Sequence, residues 1–156
     1  MLRPAPVLVT VLGVLALGGS RLAAQSSDPE VRKVRGVVEA LARKVQEGDL
    51  DALDTLYAEG RGVHIIEGSG VNHGWADYRQ HHLEPELAQF KNFAYRYFGV
   101  EPVVRGNVSW ASFRYELSTD TPSGHVEVEG RGTAVLERRS GQWRVVHLHT
   151  SGRRKS

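Results

Sequence analysis

Apolar side chains recur at every third or fourth position between residues 31 and 45, with arginines and glutamates between them. This spacing is typical of an amphipathic helix that buries one face. Asp28 followed by Pro29 is a favourable helix start, and Gly48 is a favourable helix end. The pattern therefore predicts a helix of about five turns over 29–47.

Shorter patterns follow this helix. Asp49 can cap a second, short helix, and a β-branched run predicts a strand over 63–67. A third helix is predicted over 75–90. Pro85 lies inside it and has no backbone N–H to donate, so we expect a kink or a break near Leu83.

The second half of the chain follows β patterns. The glycine-containing stretch over 68–74 is predicted to be a turn-rich link. Strands are predicted over 93–104, 108–117, 126–138 and 142–151, separated by short turns. Helices followed by adjacent antiparallel strands predict an α+β fold in which the sheet curls around the helices.

The start of the chain has the pattern of a secretory signal. Arg3 precedes an apolar run over 7–17, and small residues around Ala24 offer a cleavage site. We expect export to the periplasm or the medium and no membrane attachment after cleavage; the alternative is an uncleaved N-terminal anchor. The predicted units are a signal peptide over 1–24, one domain over 25–151 and a basic polar tail over 152–156.

The predicted signal changes the charge balance. The whole chain has 20 Lys and Arg against 18 Asp and Glu, and the signal removes Arg3 and Arg21. The remaining domain is nearly neutral, so the composition gives no support for nucleic-acid binding, which requires a clustered basic face. The chain has no cysteine, which excludes thiol chemistry.

The order of elements and several local sequences resemble the SnoaL-like branch of the nuclear transport factor 2-like superfamily, which includes ketosteroid isomerase. The similar segments are EGDLDALDTLY, the GW before the third helix, SWASFRYEL and GTAVLERRSGQWRVVHLHTS. The resemblance covers roughly 31–151. It implies a cone-shaped, strongly curved mixed or antiparallel sheet around about three helices, an interior pocket and a homodimer. Because this fold supports isomerases, cyclases, dehydratases and binding modules, it does not fix the function.

Histidines are the main candidates for chemistry. Strict alternation along the last strand places His147 and His149 on the same face as Trp143 and Val145. Two histidines at this spacing can bind one metal ion or one polar ligand from the same side. Alternatively, they are hydrogen-bonded wall residues.

Helical geometry separates the two neighbouring histidines of the third helix. His82 and Glu86 lie one turn apart at the edge of the buried stripe, whereas His81 lies on the solvent side. We therefore expect His82, His147 and His149 to share one volume. His82, His147 and Glu86 are the candidate acid/base residues, and His82, His147 and His149 are the candidate ligands for Zn or Cu.

Further residues are expected around the same pocket, and Glu67 is a second candidate carboxylate. The expected ligand contacts are His64, His73, Trp75, Tyr78, Tyr97, Trp110 and His149. Each has a simpler interpretation as a core or surface residue, and the His82–Glu86 pair can be a local i, i+4 contact.

Three functions fit this sequence. The first is an exported pocket protein that binds a small organic ligand and requires no cofactor. The second is an isomerase, cyclase or dehydratase that uses a pocket histidine or carboxylate as acid or base. The third is Zn or Cu binding through the pocket histidines.

Overall fold

A computed structural model describes residues 28–155, so the predicted signal peptide and its cleavage site lie outside the described residues. The helices are α1 (Pro29–Glu47), α2 (Leu50–Asp54), α3 (Trp75–Tyr78) and α4 (Glu84–Leu87), and a π-helical turn (Arg79–Leu83) joins the last two. The strands are β1 (His64–Glu67), β2 (Gly70–His73), β3 (Lys91–Arg105), β4 (Val108–Thr121), β5 (Gly124–Arg139) and β6 (Gln142–Arg154).

Helix α1 begins and ends at the residues that the sequence indicates. The side chain of Asp28 accepts a hydrogen bond from the backbone N–H of Glu30 at 2.8 Å. Gly48 takes a φ of 68°, a left-handed conformation that glycine adopts without strain. Between these caps, Val34 and Val38 are fully buried in the core against the sheet. Among residues 28–155, no helix combines the length and the apolar character needed to cross a membrane.

The third predicted helix is a continuous helical segment that widens just before Pro85. The N–H of Glu84 donates to the carbonyl of Arg79, five residues earlier, which is the hydrogen bond of a π-helix. The irregularity expected near Leu83 is therefore present as a π-helical turn. We call α3, this turn and α4 together the lid segment (Trp75–Leu87).

Six strands form one mixed sheet in the order β2-β1-β6-β5-β4-β3, in which β1 runs parallel to β6 and the other neighbours are antiparallel. This arrangement confirms the α+β fold. The prediction of a link over 68–74 was wrong in part, because Gly70–His73 forms β2 and pairs with β1. A two-residue turn joins the two strands, and Gly68 at φ 58° allows it.

Glycines in β5 allow aromatic rings to lie flat on the inner face of the sheet. A Cβ atom at Gly130 would lie 2.4 Å from Cε1 of Tyr115, and one at Gly132 would lie 2.3 Å from Cζ of Phe113. Neither position can carry a larger side chain without displacing the neighbouring ring. The two rings thereby fill the concave side of the sheet beneath the helices.

Strand β6 contains one extra residue relative to β5. Leu136 pairs with Val145 and the preceding Val135 pairs with His147, so Val146 has no partner in the ladder. This is a β-bulge, and it reverses the alternation of inner and outer side chains beyond it.

The bulge corrects the prediction of a single face along the last strand. Val145 is fully buried before the bulge, and Leu148 and Thr150 are buried after it. His147 and His149 therefore lie on the outer face of the sheet, opposite to the face that carries Val145.

Candidate functional site

A cavity of about 60 Å³ lies between the C-terminal end of α1, the lid segment and the inner face of the sheet. Its apolar wall consists of aliphatic and phenyl side chains: Val45, Leu83, Leu87, Phe90, Phe93, Leu117 and Leu148. Its polar wall consists of Glu67, Tyr78, Glu86, Tyr95 and Tyr97. The cavity is thus largely apolar and carries its carboxylates at the side where β1 faces the lid segment.

Two larger depressions, of about 370 and 660 Å³, lie on the outer face of the sheet. Both are lined by the exposed side chains of Arg114 and Arg131. We assign the candidate site to the smaller interior cavity, because titratable groups with perturbed pKa values converge there and an apolar wall surrounds them.

His82 contacts two carboxylates at the polar side of the cavity. Its Nε2 atom lies 3.1 Å from Oε2 of Glu67 and 3.4 Å from Oε1 of Glu86. The side chains of His82 and Glu67 are each 28% exposed, and that of Glu86 is 46% exposed. The three groups therefore form a partly buried cluster that solvent reaches from the Glu86 side.

Neighbouring polar groups orient this cluster. The hydroxyl of Tyr78 donates to Oε1 of Glu67 at 2.9 Å. Asn72 donates through Nδ2 to Oδ2 of Asp77 at 3.2 Å, which leaves its Oδ1 atom facing Nδ1 of His82 at 3.3 Å. Because an amide oxygen only accepts, this contact places a proton on Nδ1 of His82.

The surroundings shift the pKa values of these groups. The hydrogen bond to Glu67 raises the pKa of His82 above its ordinary value near 6.5. Burial raises the pKa of Glu86, and the nearby charge of Glu67 acts in the same direction. Burial also raises the pKa of Tyr78 well above 10, so its hydroxyl remains a hydrogen-bond donor at neutral pH.

The structure brings together five of the residues predicted from the sequence. His82, Glu86, Glu67 and Tyr78 meet as described, and Tyr97 lines the cavity. The predicted separation of the neighbouring histidines is confirmed, because His81 is exposed and contacts Asp77.

Trp75 and Trp110 do not line the cavity. Trp75 is buried in the core, where it stacks on Tyr57 at 4.4 Å between ring centroids and its indole N–H donates to Asp54. Trp110 is 42% exposed on the outer face of β4. The prediction of both residues as ligand contacts is therefore wrong for this cavity.

Four histidines expected at the pocket lie together on the outer face of the sheet. His73 pairs with His64, and His64 pairs with His147, so the three form a row across β2, β1 and β6. Their neighbour His149 is exposed. Burial and the nearby His149 and His64 lower the pKa of His147. The expected shared volume of His82, His147 and His149 is not formed, because the bulge turns the two strand histidines outward.

Sequence reasoning gave too little weight to Glu67 and missed Tyr95 and Asn72. Alternation with the buried Ile65 already placed Glu67 on the inner face, which was the available signal. Tyr95 donates to the hydroxyl of Tyr97 at 3.0 Å, but its place in an aromatic strand predicts only core packing. Asn72 had no signal, because its role depends on the formation of β2.

Solved structures share this fold across most of the chain. One is a nuclear transport factor 2-like superfamily protein from Salmonella enterica serovar Typhimurium, with a TM-score of 0.72 and 18% identity, covering 80% of this chain and 92% of that one. Another is a provisionally assigned ketosteroid isomerase from Shewanella frigidimarina, with a TM-score of 0.65 and 20% identity. The match covers 74% of this chain and 92% of that one. A third is a provisionally assigned dehydratase of the NTF2-like family from Streptomyces avermitilis, with a TM-score of 0.68 and 17% identity. The match covers 78% of this chain and 94% of that one.

At these identities the structural similarity supports the fold and leaves the function open. The sequence matches no curated protein. The family model described as "SnoaL-like domain" matches residues 34–153, which include every element from within α1 to β6. The curved mixed sheet, the interior cavity and this match together show that the chain belongs to the SnoaL-like domain family.

Proposed function

We propose that the interior cavity binds a small, largely apolar organic ligand and holds one polar group of that ligand at Glu67, Tyr78 and His82. The observation that carries this proposal is the carboxylate of Glu67, which lines a largely apolar and aromatic cavity and contacts the imidazole of His82. Partial burial of such a pair has a desolvation cost, and polar groups that converge in an apolar pocket are typical of a ligand site.

The size of the cavity restricts the ligand. A volume of about 60 Å³ holds a small group rather than a molecule of drug size. A larger ligand therefore requires the lid segment to move away from β3. Leu83, Leu87 and Glu86 lie on this segment and line the cavity, so its displacement would widen the cavity directly.

Ligand-observed NMR with small phenols and cyclic ketones tests the proposal on metal-free protein. We expect binders among these probes. Leu87→Trp, which fills the apolar wall, should abolish their binding. Tyr78→Phe should weaken it by about tenfold, which corresponds to about 1.4 kcal/mol for one hydrogen-bonding group.

Trp110→Ala is the matched control, because it removes a large ring from the outer face and leaves the cavity intact. Binding that persists in Leu87→Trp, or that is lost in Trp110→Ala, would place the ligand elsewhere and overturn the proposal. Circular dichroism of each variant verifies that the fold is retained.

Proton transfer is a second candidate function of the same site. An imidazole can act as general acid or base, and the hydrogen bond to Glu67, which raises the pKa of His82, favours its protonated, acidic form. Tyr78 supplies a protonated hydroxyl beside Glu67. One provisionally assigned isomerase and one provisionally assigned dehydratase share this fold, which agrees with this chemistry.

Exchange of the α-protons of a bound cyclic ketone in D₂O, followed by proton NMR, tests this second candidate. We expect exchange above the background rate that is lost in His82→Ala. His81→Ala is the control, because its ring lies at the surface of the same helical segment. Equal exchange in wild type and His82→Ala would exclude His82 as the acid or base.

A further inference from the structure

We propose that Glu67, His82 and Glu86 form a binding site for one divalent transition-metal ion, with Zn²⁺ as the probe. One oxygen of each carboxylate and one nitrogen of the imidazole lie within 4.8 Å of one another. Ligand atoms that share a tetrahedral Zn²⁺ ion at about 2.0–2.2 Å are separated by roughly 3.3–3.6 Å. The separations of 3.1 and 3.4 Å from Nε2 of His82 to the two carboxylates are close to this spacing.

The imidazole of His82 has the hydrogen-bonding arrangement that is common for metal-binding histidines. Asp77 accepts from the amide nitrogen of Asn72, so the amide oxygen faces Nδ1 of His82. With the proton on Nδ1, the lone pair of Nε2 points toward Glu67 and Glu86. Metal-binding histidines commonly donate their second ring N–H to an oxygen acceptor in this way.

The carboxylates are also oriented toward the proposed ion. Tyr78 donates to Oε1 of Glu67, and Oε2 of the same carboxylate faces His82. Glu86 comes from α4 and approaches the imidazole from the solvent side. The three ligands would therefore occupy one side of the ion, and water or a ligand group can approach from the cavity.

Charge supports a cation at this position. Both carboxylates pair with the same imidazole, and among residues 28–155 neither forms an ion pair with a lysine or an arginine. The cluster thus carries more negative than positive charge even when His82 is protonated. A divalent ion bound to neutral His82 would balance the two carboxylate charges. A single proton on Nε2 balances only one of them.

The metal and a proton compete for Nε2 of His82, so binding should strengthen as the pH rises. The groups that face this nitrogen are Glu67 from β1 and Glu86 from α4, with Tyr78 from α3 beside them and Asn72 from β2 at the other ring nitrogen. This site rests on the cavity proposed above for the organic ligand, and the ion would lie at the polar side of that cavity.

Isothermal titration of Zn²⁺ into protein stripped with EDTA and free of a His tag tests the inference. We expect one ion per chain, with an affinity that rises when the pH is moved from below to above the His82 pKa. His82→Ala and Glu86→Gln should each weaken binding at least tenfold. Asn72→Leu, which removes the acceptor that orients the ring, should weaken it by about 10-fold to 100-fold.

The controls are His81→Ala, which alters an exposed neighbour, and His149→Ala, which alters the outer histidines. Unchanged Zn²⁺ binding in His82→Ala, or loss of binding in His149→Ala, would overturn the inference. Glu86→Gln changes a half-exposed side chain and keeps the test valid if His82→Ala does not fold, as circular dichroism will show.

The two proposals fail separately. Organic ligand binding in metal-free protein without any Zn²⁺ binding would refute the metal site and leave the ligand pocket. Zn²⁺ binding that depends on His82 and Glu86, without any organic binder, would support the metal site and refute the ligand proposal.

Discussion

Nε2 of His82 lies 3.1 Å from Oε2 of Glu67, and this contact joins the lid segment to strand β1. Both side chains are 28% exposed, so solvent screens the pair only in part. The contact has a consequence that can be measured independently of any ligand, because it makes stability depend on pH.

Replacement of His82 by Asn should reduce stability most at mildly acidic pH. Because Glu67 raises the pKa of His82, the folded state favours the protonated ring. This stabilisation is complete below the unfolded-state pKa near 6.5 and is lost as the pH rises through the higher folded-state pKa. We expect a difference in unfolding free energy of about 1 kcal/mol below pH 6.5 that shrinks above it. Urea denaturation at several pH values measures it.

Two other histidines have shifted pKa values: Asp120 raises that of His125, and burial lowers that of His147. Both are present in the wild type and in His82→Asn, so their contributions to the pH dependence cancel in the difference between the two proteins. A destabilisation by His82→Asn that is equal at all pH values would show that the ring contributes packing and no charge.

Gly130→Ala should destabilise the fold strongly. The new methyl group would lie 2.4 Å from Cε1 of Tyr115 and 2.3 Å from the backbone oxygen of Ser151, which has little freedom to move. We expect a loss of about 3 kcal/mol. Gly36→Ala is the matched control, because nothing lies within 4 Å of its new methyl group on α1, and it should stabilise by about 0.5–1 kcal/mol. Chemical denaturation compares the two.

Trp110 should dominate quenching of tryptophan fluorescence by acrylamide. Of the three tryptophans, Trp75 and Trp143 are 8% and 3% exposed, whereas Trp110 is 42% exposed. Trp110→Phe should remove most of the quenchable signal.

The homodimer expected from the sequence stays a prediction. If it forms through the outer face of the sheet, quenching of Trp110 will fall as the protein concentration rises, and light scattering will report twice the mass of one chain.

Expression of the full chain in a bacterial host should yield an exported protein that begins at Gln25. The charged start, the apolar run and the small residues before the predicted site are the features that signal peptidase recognises. Cell fractionation and N-terminal sequencing measure this. An intact Met1 on membrane-bound protein would favour the uncleaved anchor instead.

Local patterns were sufficient for most of the fold. The caps of α1, the irregularity before Pro85 and the four long strands follow from residues near each other in sequence. The β-bulge at Val146 does not, because the extra residue is defined only by pairing with β5. The adjacent apolar residues Val145 and Val146 interrupt the alternation of β6, but this interruption alone does not predict a bulge. The single extra residue moved His147 and His149 from the predicted site to the outer face.

Only part of the candidate site could be predicted, because some of its residues come together only when distant elements pair. Helical geometry identified His82 and Glu86, which are four residues apart on one segment. Glu67 completes the cluster from a strand, and Asn72 orients the ring from a strand that was predicted to be a loop. Contacts between elements distant in sequence depend on tertiary pairing, which local periodicity does not contain.

The parallel pairing of β1 with β6 sets the order in which the site can be completed during synthesis. His64 pairs with His147, so β1 leaves the ribosome about 80 residues before its partner. Until β6 arrives, β2 is the one strand of the described sheet with which β1 can pair. A nascent chain stalled before β6 can already contain His82 and Glu86 one helical turn apart, yet it holds Glu67 on a hairpin that is not yet paired with the rest of the sheet. The last strand to be made is therefore the one that closes the site.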